Sequence, residues 1–283
     1  MADKKNNSYL TGAAILAATI VITKIIGAIY KIPLYNLLGD EGTSHFQATY
    51  NIYNLLLTIS TAGIPVALSR LISAARVTKR YKQIRRYFSV SLIAFSVIGG
   101  ICMIIMLVFP QQLANFVGNP EIKAGIMVLA PAVLFSCIVA VYRGYSQGFS
   151  DMLPTSISQI LEVLSKLIFG ISIAWALSKM GKGPSTVSAG AIVGVTIGMG
   201  ICVPVMYFYK KRVDVVVSKK SELDPALSSF ETLKLIFKIC IPITLSSSIL
   251  NIISLIDTKL IYSRLQNGAG MTFYQTKVPA AFC

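Results

Sequence analysis

Seven apolar stretches separated by polar connections organise the chain: Leu10–Ala28, Tyr50–Ile72, Val90–Phe109, Ile126–Val141, Ile157–Leu177, Ala189–Tyr209 and Leu235–Leu260. Each approaches the roughly 20 residues that a helix needs to cross the hydrocarbon core of a bilayer. The first continues, with polar interruptions, to about Leu38. The fourth is short by strict apolar count and extends through Arg143. Lipid offers no water to satisfy bare backbone groups, so the pattern predicts an all-α polytopic membrane bundle. Short connections predict that consecutive helices pack as antiparallel neighbours.

One connection is longer. Residues 210–232 are polar, contain Pro225, and divide six stretches from a seventh. The organisation expected is a six-helix lobe over 1–209, a connection over 210–232, the first helix of a second lobe over 233–265, and an irregular tail over 266–283. Gly190, Gly194 and Gly198 recur at four-residue spacing, which lets membrane helices approach closely. Pro33, Pro65, Pro131, Pro204 and Pro242 lie in or near the stretches and predict kinks.

Charge changes the picture from bundle to oriented bundle. Only 13% of residues are charged, against 54% apolar, yet the net charge is +15. Nucleic-acid binding would want a soluble basic face with interleaved aromatics, so no nucleic-acid partner is expected. Here the basic residues gather between alternate spans instead. Fourteen, including Arg76, Lys79, Arg80, Lys82, Arg85, Arg86, Arg143 and Lys210–Arg212, fall on one side; only Lys123, Lys179 and Lys182 fall on the other. Lys and Arg accumulate on the cytoplasmic side, which predicts a cytoplasmic N-terminus. Met1–Leu10 and the apolar run after it resemble a signal peptide without a cleavage site, so an uncleaved first span is expected.

Candidate chemistry follows from charges placed inside spans, which cost several kcal/mol and mark cavities or partners. Lys24 and Lys31 are seven residues apart on one helix face. Lys24 lies about 21 Å along the first span, too deep for simple snorkelling. It either faces a water-filled cavity or is neutral or paired; Lys31 lies nearer the interface. Arg70 closes the second span, as a gate residue or as an interface arginine, and with Lys24 and Lys31 it is a candidate to bind an anionic head group in the cavity. Glu162 and Lys166, at i,i+4, form an ion-coupling or structural pair. Asp257 and Lys259 point to different faces of the seventh span. A deep, basic, locally unpaired charge suits an anionic substrate such as a phosphate or pyrophosphate head group. The five cysteines show no CxxC and read as packing residues; no metal site and no cofactor is expected. The single histidine, His45, lies beside Asp40 and Glu41 and is expected at the surface. Nucleotide-binding, zinc-protease and esterase signatures are missing, so no catalytic residues are expected and transport is preferred to catalysis.

Several segments carry a family resemblance: Thr23-Lys-Ile-Ile-Gly27 with Leu37-Leu-Gly39, Gly63-Ile-Pro-Val-Ala-Leu-Ser-Arg-Leu71, Tyr142-Arg-Gly-Tyr-Ser-Gln-Gly148, and Pro154-Thr-x-x-Ser-Gln-x-x-Glu162. They resemble the MurJ/SpoVB branch of the multidrug/oligosaccharidyl-lipid/polysaccharide exporter superfamily, from residue 9 to about 265. The resemblance implies two six-helix lobes around a central cavity in a bacterial cell membrane. It also implies flipping of undecaprenyl-linked anionic lipids for peptidoglycan, polysaccharide or spore-wall synthesis, alongside other cell-envelope biosynthesis proteins. The family's cavity-lining basic residue falls on Lys24, its arginine closing the second helix on Arg70, and the acidic residue of the second lobe's first helix on Asp257. Most of a second lobe is missing, so a truncated product, inactive and poorly stable alone, is one expectation. A drug or cation antiporter of the same superfamily is the rival transport reading.

Overall fold

The computed structural model describes residues 2–218 and 227–264, and every regular element among them is helical. The elements are α1 (Ala2–Thr61), α2 (Ile64–Val77), α3 (Tyr81–Val108), the short α4 (Pro110–Val117), α5 (Lys123–Gly148), α6 (Leu153–Ser165), α7 (Ile171–Lys179), α8 (Pro184–Ser218) and α9 (Ser229–Ser263). A 3-10 turn at Pro120–Ile122 leads into α5. A π-helical turn at Lys166–Gly170 fuses α6 and α7 into one crossing, Leu153–Lys179.

Six segments are long and apolar enough to cross a membrane, and the first of them, Ala14–Val77, is 64 residues long. A straight helix of that length would reach about 96 Å, roughly three times the hydrocarbon core. Gly39 removes the excess: with φ 63° and ψ −173° it breaks the helix in a conformation that a side chain would strain. Tyr30 and Tyr50 locate the consequence. The Tyr30 hydroxyl lies 3.3 Å from the place a Cβ on Gly170 would take, and the Tyr50 ring centre is 5.9 Å from Lys166 Nζ. On a straight helix the two tyrosines would be about 30 Å apart, yet both meet one π-helical turn. The chain therefore folds back at Gly39, and the first two apolar stretches are separate arms: a leading arm, 2–38, and a returning arm, 40–61.

α5 is the centre of the bundle and packs against α2, α3 and α8. Close approach on both sides depends on absent side chains. A Cβ on Gly99 of α3 would lie 2.9 Å from Cys137 Sγ. On α8 the expected glycine stripe is the contact itself. Gly190 faces Leu177, Gly194 lies against the backbone of Gly170, and Gly198 lies against Ser165 and Glu162. Cys137, Cys202 and Cys240 are buried free thiols and Cys102 is half-buried, as packing residues would be. On α3, Ile93, Val97, Ile101 and Ile104 are exposed at helical spacing, where a lipid-facing stripe belongs.

Several boundaries differ from the apolar pattern. α3 starts at Tyr81, so Lys82, Arg85 and Arg86 ride on its first turns, because helices continue beyond the hydrocarbon. α8 likewise runs past Tyr209 to Ser218, into the first part of the expected connection. Residues 219–226 of that connection and the expected tail over 266–283 lie outside the described residues. α9 begins at a capping box in which Ser228 Oγ accepts from Glu231 N and the Glu231 carboxylate accepts from Ser228 N. Pro33, Pro131, Pro204 and Pro242 lie inside helices. Pro65 does not: it stands in the first turn of α2 after the break at Ala62–Gly63, where its missing N–H costs nothing.

Candidate functional site

Lys24 and Lys31, on the leading arm of α1, line one open cavity of about 450 Å³ together with Thr23, Gly27, Ala28 and Val163. The sevenfold spacing brings the two ammonium groups to the same groove. Gly27 and Ala28 keep its floor shallow, since a Cβ on Gly27 would meet nothing. Both lysines are exposed. Arg70 and Asp257 are exposed on α2 and α9 and are not among the lining residues. The structure therefore joins Lys24 to Lys31 but brings neither Arg70 nor Asp257 to them.

Glu162 stands one residue from the cavity wall at Val163, and it is fully engaged. Lys166 Nζ donates to Oε1 at 2.8 Å, and Arg143 Nη2 donates to Oε2 at 3.4 Å. All three side chains keep between 16% and 19% of their surface exposed, so the ions are held inside protein. Arg143 is fixed further by donation from Nε to Ser158 Oγ at 2.8 Å. Arg143 must be removed from the basic residues counted at one membrane face. It lies in α5, five residues before the helix ends, and its guanidinium is taken up by Ser158 and Glu162 of α6. Thirteen basic residues remain in that tally.

The same contacts give the segments Tyr142–Gly148 and Pro154–Glu162 a physical meaning. From the end of α5, Arg143 reaches Ser158 and Glu162, and Gln147 Nε2 donates to Thr155 Oγ1 at 3.3 Å on α6. On its other face the glycines admit α2: a Cβ on Gly144 would lie 3.0 Å from Pro65 Cα, and one on Gly148 would lie 2.6 Å from Ile72 Cβ. One helix end thus carries polar fingers toward α6 and bare backbone toward α2.

A second polar cluster lies at the Gly39 end, and sequence reasoning misplaced it. His45 is 1% exposed, not a surface residue. Its Nε2 is 3.1 Å from a Glu121 oxygen and 3.7 Å from a Glu41 oxygen, and its Nδ1 is 3.0 Å from Asn119 Nδ2. The acidic neighbours suggested a solvated loop, but Gly39 is the whole turn, and the returning helix buries His45 one turn later. The ligand atoms of Glu41, His45 and Glu121 lie within 4.8 Å of one another. Two carboxylates thus approach one ring nitrogen of the imidazole, and Asn119 is hydrogen-bonded at the other.

The family model for "Polysaccharide biosynthesis protein" matches residues 9–277. The chain belongs to this family. Among curated members related to it, the uncharacterized membrane protein YabM of Bacillus subtilis (strain 168) is 27% identical over 259 residues, 91% of this chain and 48% of YabM. The Lipid II flippase MurJ of the same organism is 27% identical over 219 residues, covering 73% of this chain and 40% of MurJ. Stage V sporulation protein B, also from that organism, is 26% identical over 161 residues, 56% of this chain and 31% of that protein. The chain thus spans about half or less of the length of these relatives. Among solved structures, the eukaryotic MATE transporter AtDTX14 superposes with a TM-score of 0.64 at 18% identity, over 97% of this chain and 64% of the transporter. At that identity the likeness is one of fold, and it agrees with the all-α polytopic bundle. With six segments of membrane-spanning length and membrane-protein relatives, the chain is a multi-pass membrane protein.

Proposed function

We propose that the chain works in an alternating-access flippase for lipid-linked saccharide precursors of the cell envelope, with Lys24 and Lys31 receiving the anionic head group. One observation carries the reading: the cavity wall presents two ammonium groups and no carboxylate, while Glu162, next in sequence to the wall residue Val163, is already bound by two cations. A phosphate or pyrophosphate gains from such a cavity, and a lysine binds it as a point charge. A drug or cation antiporter would need an available carboxylate there. In this reading the lipid tail stays in the bilayer, beside the exposed face of the leading arm. Arg70 acts at a gate away from the cavity, and Asp257 serves the lobe to which α9 belongs. Residues 1–209 form one lobe, and α9 opens the next.

The orientation proposed places the N-terminus and the Lys79 turn in the cytoplasm of a bacterial cell. A cysteine at Thr78 should resist an impermeant thiol reagent applied outside intact cells; rapid labelling would invert the assignment. The substrate assignment is tested with vesicles containing undecaprenyl pyrophosphate or a neutral lipid of equal tail length. Lys24→Ala should weaken retention of the pyrophosphate lipid by about tenfold or more, as loss of a charge-assisted contact implies, and leave the neutral lipid unaffected. Equal binding by both variants would remove Lys24 from the site.

A further inference from the structure

The seam between the returning arm of α1 and α9 carries a pattern that neither the cavity nor the charge cluster uses. Asn51 and Thr58 are seven residues apart, and so are Asn251 and Thr258. The two helices run antiparallel and pair them reciprocally: Asn51 Nδ2 donates to Thr258 Oγ1 at 2.8 Å, and Asn251 Nδ2 donates to Thr58 Oγ1 at 2.8 Å. At the Gly39 end, Ser44 and Tyr262 share a hydrogen bond, and Asn119 donates to the Tyr262 hydroxyl at 3.2 Å. At the other end the two backbones touch. A Cβ on Gly63 would lie 2.6 Å from the Cys240 carbonyl oxygen and 2.8 Å from its Cα. Neutral hydrogen bonds thus line one side of a contact whose far end is bare backbone.

Separation of this seam would leave both ladder groups of α9 with partners on their own helix. The Thr258 hydroxyl already donates to Ser254 O at 2.8 Å, four residues back on its own helix. Asn251 Nδ2 has Ser247 O within 3.5 Å, and Asn51 Oδ1 has Gln47 Nε2 within 3.4 Å. Such back-bonding keeps a side chain satisfied inside its own helix. A polar group released without a partner in hydrocarbon would cost several kcal/mol, and the two ladder groups on α9, Asn251 Nδ2 and the Thr258 hydroxyl, carry a local partner in advance. We infer that this seam is a reversible latch: α9 pivots at the Gly63–Cys240 contact, and the Asn–Thr ladder opens and closes between the α1 arm and α9.

The inference rests on the transport reading only in needing movement between the arm and α9, and it holds for any cargo. Ala48 provides the reporter. It is 1% exposed and lines a small pocket with Asn51, Thr258 and Tyr262, so a cysteine there leaves all four ladder groups intact. The full chain is reconstituted in vesicles without substrate, treated with a small uncharged maleimide, and read peptide by peptide. Ala48→Cys should react at least about tenfold faster than the native Cys137 and Cys202, both 0% exposed in the bundle. Adding Asn251→Ala should raise that rate a further threefold or so, the worth of one average interhelical bond in a membrane. Leu255→Cys, buried on α9 against Ala48 and Ile52 and outside the ladder, reads the same seam from the opposite helix if Ala48→Cys fails to fold. Reporters no faster than Cys137 would mean a static contact and overturn the latch, whichever lipid the cavity binds. Loss of head-group binding with fast reporters would overturn the substrate assignment alone.

Discussion

Two interfaces in this bundle solve the problem of polar groups in lipid in opposite ways. Between α5, α6 and α8, ions are buried together and glycines press the backbones into contact: Arg143 and Lys166 close on Glu162, while Gly194 lies against Gly170. Between the α1 arm and α9 every polar pair described is neutral, and its Asn251 and Thr258 keep a bond within their own helix. A buried ion that loses its partner is stranded; Asn251, on losing Thr58 across the seam, still has Ser247 O on its own helix. The difference assigns rigidity to the first interface and separability to the second. It also gives a measure of each in the cost of removing one group.

The largest effect should come from the ionic cluster. Glu162→Gln leaves Arg143 and Lys166 facing each other without a counter-charge, and breaking a buried pair in this way costs about 3–5 kcal/mol. Thermal unfolding in detergent should show a lower midpoint than for any other single change considered. Replacing all three side chains by apolar ones of similar size should recover most of the loss. A midpoint unmoved by Glu162→Gln would mean that water already solvates the cluster. Next in size comes Gly194→Ala. Its methyl would stand 2.5 Å from Gly170 N, a backbone atom that has no rotamer to change, so overpacking of about 1–3 kcal/mol is expected. Gly100→Ala is the matched control in a helix interior. Nothing lies within 4 Å there, and the substitution should stabilise by about 0.5–1 kcal/mol.

Much of the first interface was legible in the sequence, and almost none of the second. The spans announced themselves because lipid demands long apolar runs. The Gly190, Gly194 and Gly198 stripe and the Glu162–Lys166 spacing are periodic on single helices, so a one-dimensional pattern contains them. Arg143 was misplaced for an instructive reason: a basic residue near a span end looks like topology, and only its distance to Glu162 across two helices shows otherwise. His45 failed similarly, because a turn made by Gly39 alone leaves no loop for its acidic neighbours to share. The ladder needs partners about 200 residues apart. Asn51 and Thr58 mark a face by their spacing, but nothing local says which helix answers it.

The smallest effect belongs to the ladder, and its smallness is the point. Asn51→Leu and Asn251→Leu each remove one interhelical bond, which in membrane proteins averages about 0.6 kcal/mol. Leucine also adds apolar surface to a seam already flanked by Leu255 and Ile261, which softens the loss. The partner left behind on α9, Thr258, retains its bond to Ser254 O, so removal of Asn51 strands no donor there. Thr58 loses the donor that its hydroxyl oxygen accepts from and, among the described residues, has no own-helix bond like that of Thr258, so Asn251→Leu should be the costlier of the two. The double variant should lose about the sum, since the two bonds share no partner. Unfolding midpoints measured beside Glu162→Gln decide the matter. Ladder variants as damaging as the loss of a buried carboxylate would make the seam a structural interface like the first, and the contrast between a fixed core and a parting edge would fail.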